Sequence, residues 1–273
     1  MAGQALRSLG CGNLYDIQPD LMVPAMTEGP PSAGLRVRQS LPAYGGTQVH
    51  HALYLPVDWK AGRRYPLLVE YAGNGGYEDA DGDRCTGTVD GSALGYGISA
   101  GRGYLWLCLP FVDAARGENA LTWWGDVRRT VEYCREAVDT TCRLYGGDRR
   151  RVFLMGFSRG AIACNYIGLH DDSIARLWRG FVAHSHYDGV RTWPYPESER
   201  EFALERLHRL KGRPVFISQE CSVDNIRAYL ASTGVRGRFA FAAPPFRNHT
   251  DTWVLRNVAE RGQLRRWMKE MAG

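Results

Sequence analysis

Arg151-Val152-Phe153-Leu154-Met155-Gly156-Phe157-Ser158-Arg159-Gly160-Ala161-Ile162-Ala163 is an apolar strand that runs through Gly-x-Ser-x-Gly and leaves as a small-residue helix. A serine hydroxyl is a weak nucleophile at neutral pH, so it has to be presented in the open, with a base on one side and amide donors on the other. A tight strand-to-helix turn does this. It forces unusual dihedrals on the serine and leaves no room for side chains two residues before and after it, which accounts for Gly156 and Gly160. The same five residues occur by chance in loops. Here the β-rich run before them and the helical pattern after them (Ala161, Ile162, Ala163, Tyr166, Ile167) favour a nucleophile elbow at Ser158.

Outward from that turn, strands and helices alternate. Tyr65–Tyr71 reads as a buried strand that empties into Ala72-Gly73-Asn74-Gly75-Gly76, and Tyr104–Leu109 reads as a second strand. A helix is expected over about 91–101 and a long one over 125–145. After the elbow come a strand at 180–184, a helix at 198–210, a strand at 214–218, a helix at 223–233, a strand near 238–242 and a closing amphipathic helix. Ahead of this series, 35–40 and 48–55 flank a turn at Tyr44-Gly45-Gly46-Thr47 and should form an antiparallel hairpin. Residues 1–34 are rich in Pro, Gly and Ser and read as an irregular arm. The expected fold is therefore α/β: one domain over 35–273, a mostly parallel sheet behind an antiparallel hairpin, helices on both faces, and ligands at the C-terminal strand ends.

Composition bounds the function. The chain has 273 residues, 44% of them hydrophobic, enough for one large core. Its net charge of +5 arises from 34 basic against 29 acidic residues with the signs intermixed, which argues against a nucleic-acid or membrane partner. No apolar run approaches the ~18 residues of a membrane span. The first residues lack the apolar core of a signal peptide, so the chain as written reads as cytoplasmic, or as secreted if a targeting segment was removed. Seven cysteines without a C-x-x-C pair indicate neither a zinc site nor a complete disulfide framework. Cys108, Cys134 and Cys164 fall within expected elements and read as buried. Cys85, in a polar loop, reads as the most exposed and reactive.

The glycines at 73–76 fit neither the P-loop nor the dinucleotide pattern, and they suit a loop whose amides face a developing oxyanion. Asp79, Asp81, Asp83 and Asp90 fall on calcium-loop positions 1, 3, 5 and 12. Arg84 stands where that template needs glycine, so the stretch reads as a solvated acidic loop. No metal or other cofactor is implied. Trp123 and Trp124, at the start of the long helix, read as core or as pocket wall. Among seven histidines, His249 alone follows the last strand in a loop, where a base could reach across to Ser158.

Gly156-Phe157-Ser158-Arg159-Gly160, the loop Gly73-Asn74-Gly75-Gly76, and His249 followed by Thr250-Asp251-Thr252-Trp253 together resemble the α/β-hydrolase superfamily. Within it, they resemble the esterase branch of polyhydroxybutyrate-depolymerase-like and feruloyl or acetyl-xylan esterase-like proteins. The resemblance covers about residues 35–270. It implies a Ser, acid, His order, with the acid after the strand that follows the elbow by two. That place holds Glu220 with Val223 three residues on, and it lacks the family's usual Asp and glycine. Asp224 and Asp188 are the alternatives. The resemblance further implies oxyanion donors at Arg159 and at Asn74 or its neighbour Gly73. The short stretch 187–197 leaves no space for a large lid. Trp123, Trp124, Tyr187, Asp188 and Trp193 are then expected around the substrate, a small-molecule or carbohydrate-borne ester. A peptidase or thioesterase would use the same triad, and a non-catalytic binding member of the fold would normally have lost Ser or His.

Overall fold

The computed structural model describes residues 10–273; the first nine residues of the expected arm lie outside the described residues. In chain order the elements are β1 (Met26–Thr27), β2 (Arg36–Gln39), β3 (His51–Tyr54), β4 (Tyr65–Tyr71), β5 (Tyr77–Glu78), β6 (Arg84–Cys85), α1 (Leu94–Ser99), β7 (Leu105–Leu109), β8 (Val112–Asp113) and β9 (Glu118–Asn119). There follow α2 (Val127–Tyr145), β10 (Gly147–Phe157), α3 (Arg159–Tyr166), α4 (Asp172–Ala175), β11 (Gly180–His184), α5 (Arg200–His208), β12 (Pro214–Ser218), α6 (Asp224–Thr233), β13 (Arg238–Ala242) and α7 (Ala259–Ala272).

Among the described residues, nine strands form one sheet in the order β1-β2-β3-β7-β4-β10-β11-β12-β13. From β7 to β13 the pairs are parallel, and β3 is antiparallel to both of its neighbours. The central strands are apolar at nearly every position because both faces are covered. In β10, Val152 and Leu154 pack with α2 and α3 on one face, whereas Phe153 and Met155 pack with α1 and α7 on the other. On α7, Leu264, Met268 and Ala272 recur every fourth residue and are buried, the stripe that a surface helix presents to a sheet. The Asp126 side chain accepts from the Arg129 N–H and starts α2 two residues later than its apolar pattern suggests; Gly146, at φ +81°, ends it.

Two departures have local causes. The second hairpin strand begins at His51 because the backbone N–H groups of Gln48 and His50 are taken by Gly117 O and Asn119 Oδ1 of the β8–β9 ribbon. The residues before β2 are not free-standing either. Thr27 pairs with Val37 in the sheet, Gly12 bridges to Phe246, and Leu14 is buried. No helix among the described residues is long and apolar enough to cross a membrane. Residues 185–199, between β11 and α5, form no large lid.

Candidate active site

Ser158 directly follows β10 at φ +54°, ψ −114°, a conformation that a non-glycine residue holds only when its surroundings impose it. The surroundings are the two glycines. A Cβ on Gly160 would lie 1.9 Å from Tyr71 O, and one on Gly156 would lie 2.2 Å from the Gly160 carbonyl carbon. Ser158 N–H donates to His184 O at 2.9 Å, which anchors the turn to the next strand. Arg159 is the first residue of α3, so its N–H belongs to the helical turn whose donors have no intrahelical partner.

His249 Nε2 stands 3.0 Å from Ser158 Oγ, and His249 Nδ1 stands 3.0 Å from Glu220 Oε1. Of the three carboxylates considered from sequence, the structure brings Glu220 to the imidazole and leaves the other two elsewhere. Asp224 is exposed at the start of α6, where Ser222 Oγ donates to its carboxylate. Asp188 is buried in a bidentate pair with Arg206, at 2.8 and 3.1 Å. Burial alone would push the Glu220 carboxyl up, but the hydrogen bond and charge of His249, with help from His184 and Ser185, hold it down at about 2.

The loop carrying His249 is pinned from three sides. Asp83 Oδ2 accepts from the His249 N–H at 2.6 Å, and Asp83 Oδ1 accepts from Asn248 Nδ2 and the Tyr15 hydroxyl. His184 is fully buried and bridges Ser218 Oγ and Thr250 O. Only a protonated Nε2 can donate to a carbonyl, so its Nδ1 accepts from the serine. The His249 ring lies among Phe157, Tyr77 and His186, with centroids 4.8, 5.1 and 5.2 Å away. Burial lowers His186 to about 3, which keeps it neutral beside the candidate base.

A cleft of about 570 Å³ opens over Ser158. Trp123, Tyr187, Ile162, Val190 and Trp193 form its apolar walls, and Asn74, Gln219, Asn225 and Arg191 bring polar groups to it. Trp123 holds φ +48° because Asn74 Oδ1 accepts its N–H and the Arg159 guanidinium donates to its carbonyl. That guanidinium is buried, donates also to Ala72 O, Gly87 O and Ala120 O, and is lowered by burial to about 9. It ties loops together beneath the cleft instead of facing a substrate.

Several sequence expectations are corrected here. Trp124 is buried and stacks on Tyr166 at 4.5 Å, so it belongs to the core. Asp188 does not line the cleft, since Arg206 holds it inside. Gly73 lies against the Cys85 side chain, since a Cβ there would meet the sulfur at 2.8 Å. Cys85 is, as expected, the most exposed of the free cysteines among the described residues, but burial raises its thiol pKa, the opposite of an activated cysteine. Cys11 and Cys221 form a disulfide across 210 residues, a pairing without a spacing signal. The acidic loop is only partly solvated: Asp90 is exposed, but Asp83 is buried and Arg247 pairs with Asp81 at 3.0 Å. Among the described residues no cluster of three or more His, Cys, Asp or Glu side chains is arranged to hold a metal ion.

No protein-family model matches the chain, and no curated protein matches it by sequence. Solved structures do match. A structure from a study of two esterases of the fungus Rhizomucor miehei superposes with a TM-score of 0.58 at 10% identity, over 98% of this chain and 89% of its own. A thermostable esterase gives 0.52 at 16%, covering 86% and 62%. The dipeptidyl peptidase 4 of Porphyromonas gingivalis gives 0.51 at 15%, covering 88% and 35%. The chain spans 35–62% of the length of the first solved proteins it matches. A mainly parallel sheet in this strand order, a serine on a forced turn at the end of β10 and these superpositions together identify the chain as a member of the α/β-hydrolase fold.

Proposed function

We propose that the protein is a serine hydrolase that cleaves carboxylic esters through an acyl-enzyme. The observation that carries this reading is the unbroken line Ser158 Oγ, His249, Glu220, with both contacts at 3.0 Å. In the proposed cycle, Ser158 Oγ attacks the ester carbonyl while His249 Nε2 takes its proton, and Glu220 stabilises the resulting imidazolium. The carbonyl oxygen, now negative, accepts from the N–H groups of Arg159 and Asn74; one such donor contributes about 3–4 kcal/mol to the transition state. His249 returns the proton to the leaving alcohol. A water molecule, activated by the same imidazole, then releases the acid and restores Ser158.

Cleft shape suggests the substrate class. Aromatic walls close to Ser158 suit a short or aromatic acyl group, and Asn225, Gln219 and Arg191 suit a polar or carbohydrate-borne alcohol. Without a large lid there is no surface to open at a lipid interface. The proposed test compares p-nitrophenyl acetate, butyrate and palmitate, acetylated xylan and methyl ferulate, alongside a dipeptidyl p-nitroanilide. Acetate and butyrate are expected to turn over faster than palmitate, with no rise in rate above the micellar limit. A preference for palmitate would overturn the assignment to short esters. Turnover of the anilide alone would replace the esterase reading with a peptidase one, a class to which the Porphyromonas relative belongs by name.

A further inference from the structure

Ser185 directly follows β11, is buried, and holds φ +82°, a backbone conformation that serine rarely adopts. Its N–H donates to Ser218 O at 2.7 Å, which closes the last β11–β12 pair, His184 with Ser218. This places Ser185 Oγ 2.5 Å from Glu220 Oε1 and 2.7 Å from His249 Nδ1. The acid and the imidazole, themselves 3.0 Å apart, therefore share a third group closer to each than they are to one another.

We infer that Ser185 is a positioning residue that acts through Glu220 and His249 and fixes which nitrogen of His249 carries the proton. An ionised carboxylate only accepts, so the single hydroxyl hydrogen of Ser185 goes to Glu220. The Ser185 oxygen then has only lone pairs to offer His249, and Nδ1 must be the protonated nitrogen. That leaves the Nε2 lone pair facing Ser158. The same short bond stops the Glu220 carboxylate from rotating away from the ring. A positive φ is the local strain accepted to place the hydroxyl between the two groups.

The inference rests on the triad reading above, so its test is made per functional site. Ser185→Gly removes the hydroxyl and relaxes the backbone, because glycine adopts φ +82° without cost; Ser185→Ala removes it and keeps the strain. For wild type and both variants, sites are titrated with a fluorophosphonate, and kcat and KM for p-nitrophenyl butyrate are measured per titrated site beside the melting temperature. Ser185→Gly is expected to stay folded and to melt no lower than Ser185→Ala, yet to lose about ten- to a hundredfold in kcat, the scale of a hydrogen bond to a charged group, with KM within about twofold. Wild-type kcat per site in Ser185→Gly would overturn the positioning role, as would a loss confined to KM. If wild type itself neither labels nor turns over, it is the triad reading that fails.

Discussion

Ser158→Ala is expected to reduce ester turnover by about 10⁶-fold in kcat, the scale on which triad nucleophiles act when removed, while the fold stays intact. The side chain makes little of the stability here. The turn is held by the Ser158 N–H bond to His184 O and by the contacts of Gly156 and Gly160, none of which involves the hydroxyl. Alanine keeps the same backbone demand at φ +54°, so circular dichroism and the melting temperature should match wild type. Residual turnover near the wild-type rate would mean that another group attacks the ester.

Glu220→Gln is expected to cost about 10⁴-fold in kcat, because an amide in place of the carboxylate stabilises the wrong imidazole tautomer. Asp224→Asn, at an exposed helix start, and a fold-competent change at Asp188, held by Arg206, should cost little. The ionisation of Glu220 adds a pH signature. Its folded pKa of about 2 lies below the ordinary carboxylate range, so it contributes stability that is complete above that range and lost as the pH falls toward 2. Denaturation followed from pH 7 down to pH 2 should therefore show wild-type stability falling through the acid range, and a smaller fall in Glu220→Gln. A reversed ranking, with Asp224→Asn the more damaging, would move the acid by one helical turn.

Chain order brings Ser158 and His249 forward, because each follows a strand whose apolar run is easy to read, whereas Glu220 is implied only by the resemblance and stands beside Asp224 and Asp188 as alternatives. The supporting groups left no such trace. Asp83 reaches His249 across 166 positions of sequence, and its own neighbours, Asp79 and Asp81, make it look like one carboxylate of a solvated loop. Ser185 lies one residue past a readable strand, but the positive φ that aims its hydroxyl is a property of the assembled sheet edge. Side-chain direction was lost for the same reason at Trp123 and Trp124. Adjacent residues there face a cleft and a core respectively, since the left-handed turn at Trp123 depends on Asn74 and Arg159. The sequence offers Asp188 to a substrate, but α5 brings Arg206 to it.

The most direct test of the account is covalent labelling of the intact protein with a fluorophosphonate, read by intact mass and peptide mapping, in wild type and in Ser158→Ala. The account predicts a single adduct on Ser158, formed in step with the loss of p-nitrophenyl acetate hydrolysis, and no adduct in the alanine variant. An adduct that persists in Ser158→Ala, or ester hydrolysis that continues undiminished in fully labelled protein, would contradict it.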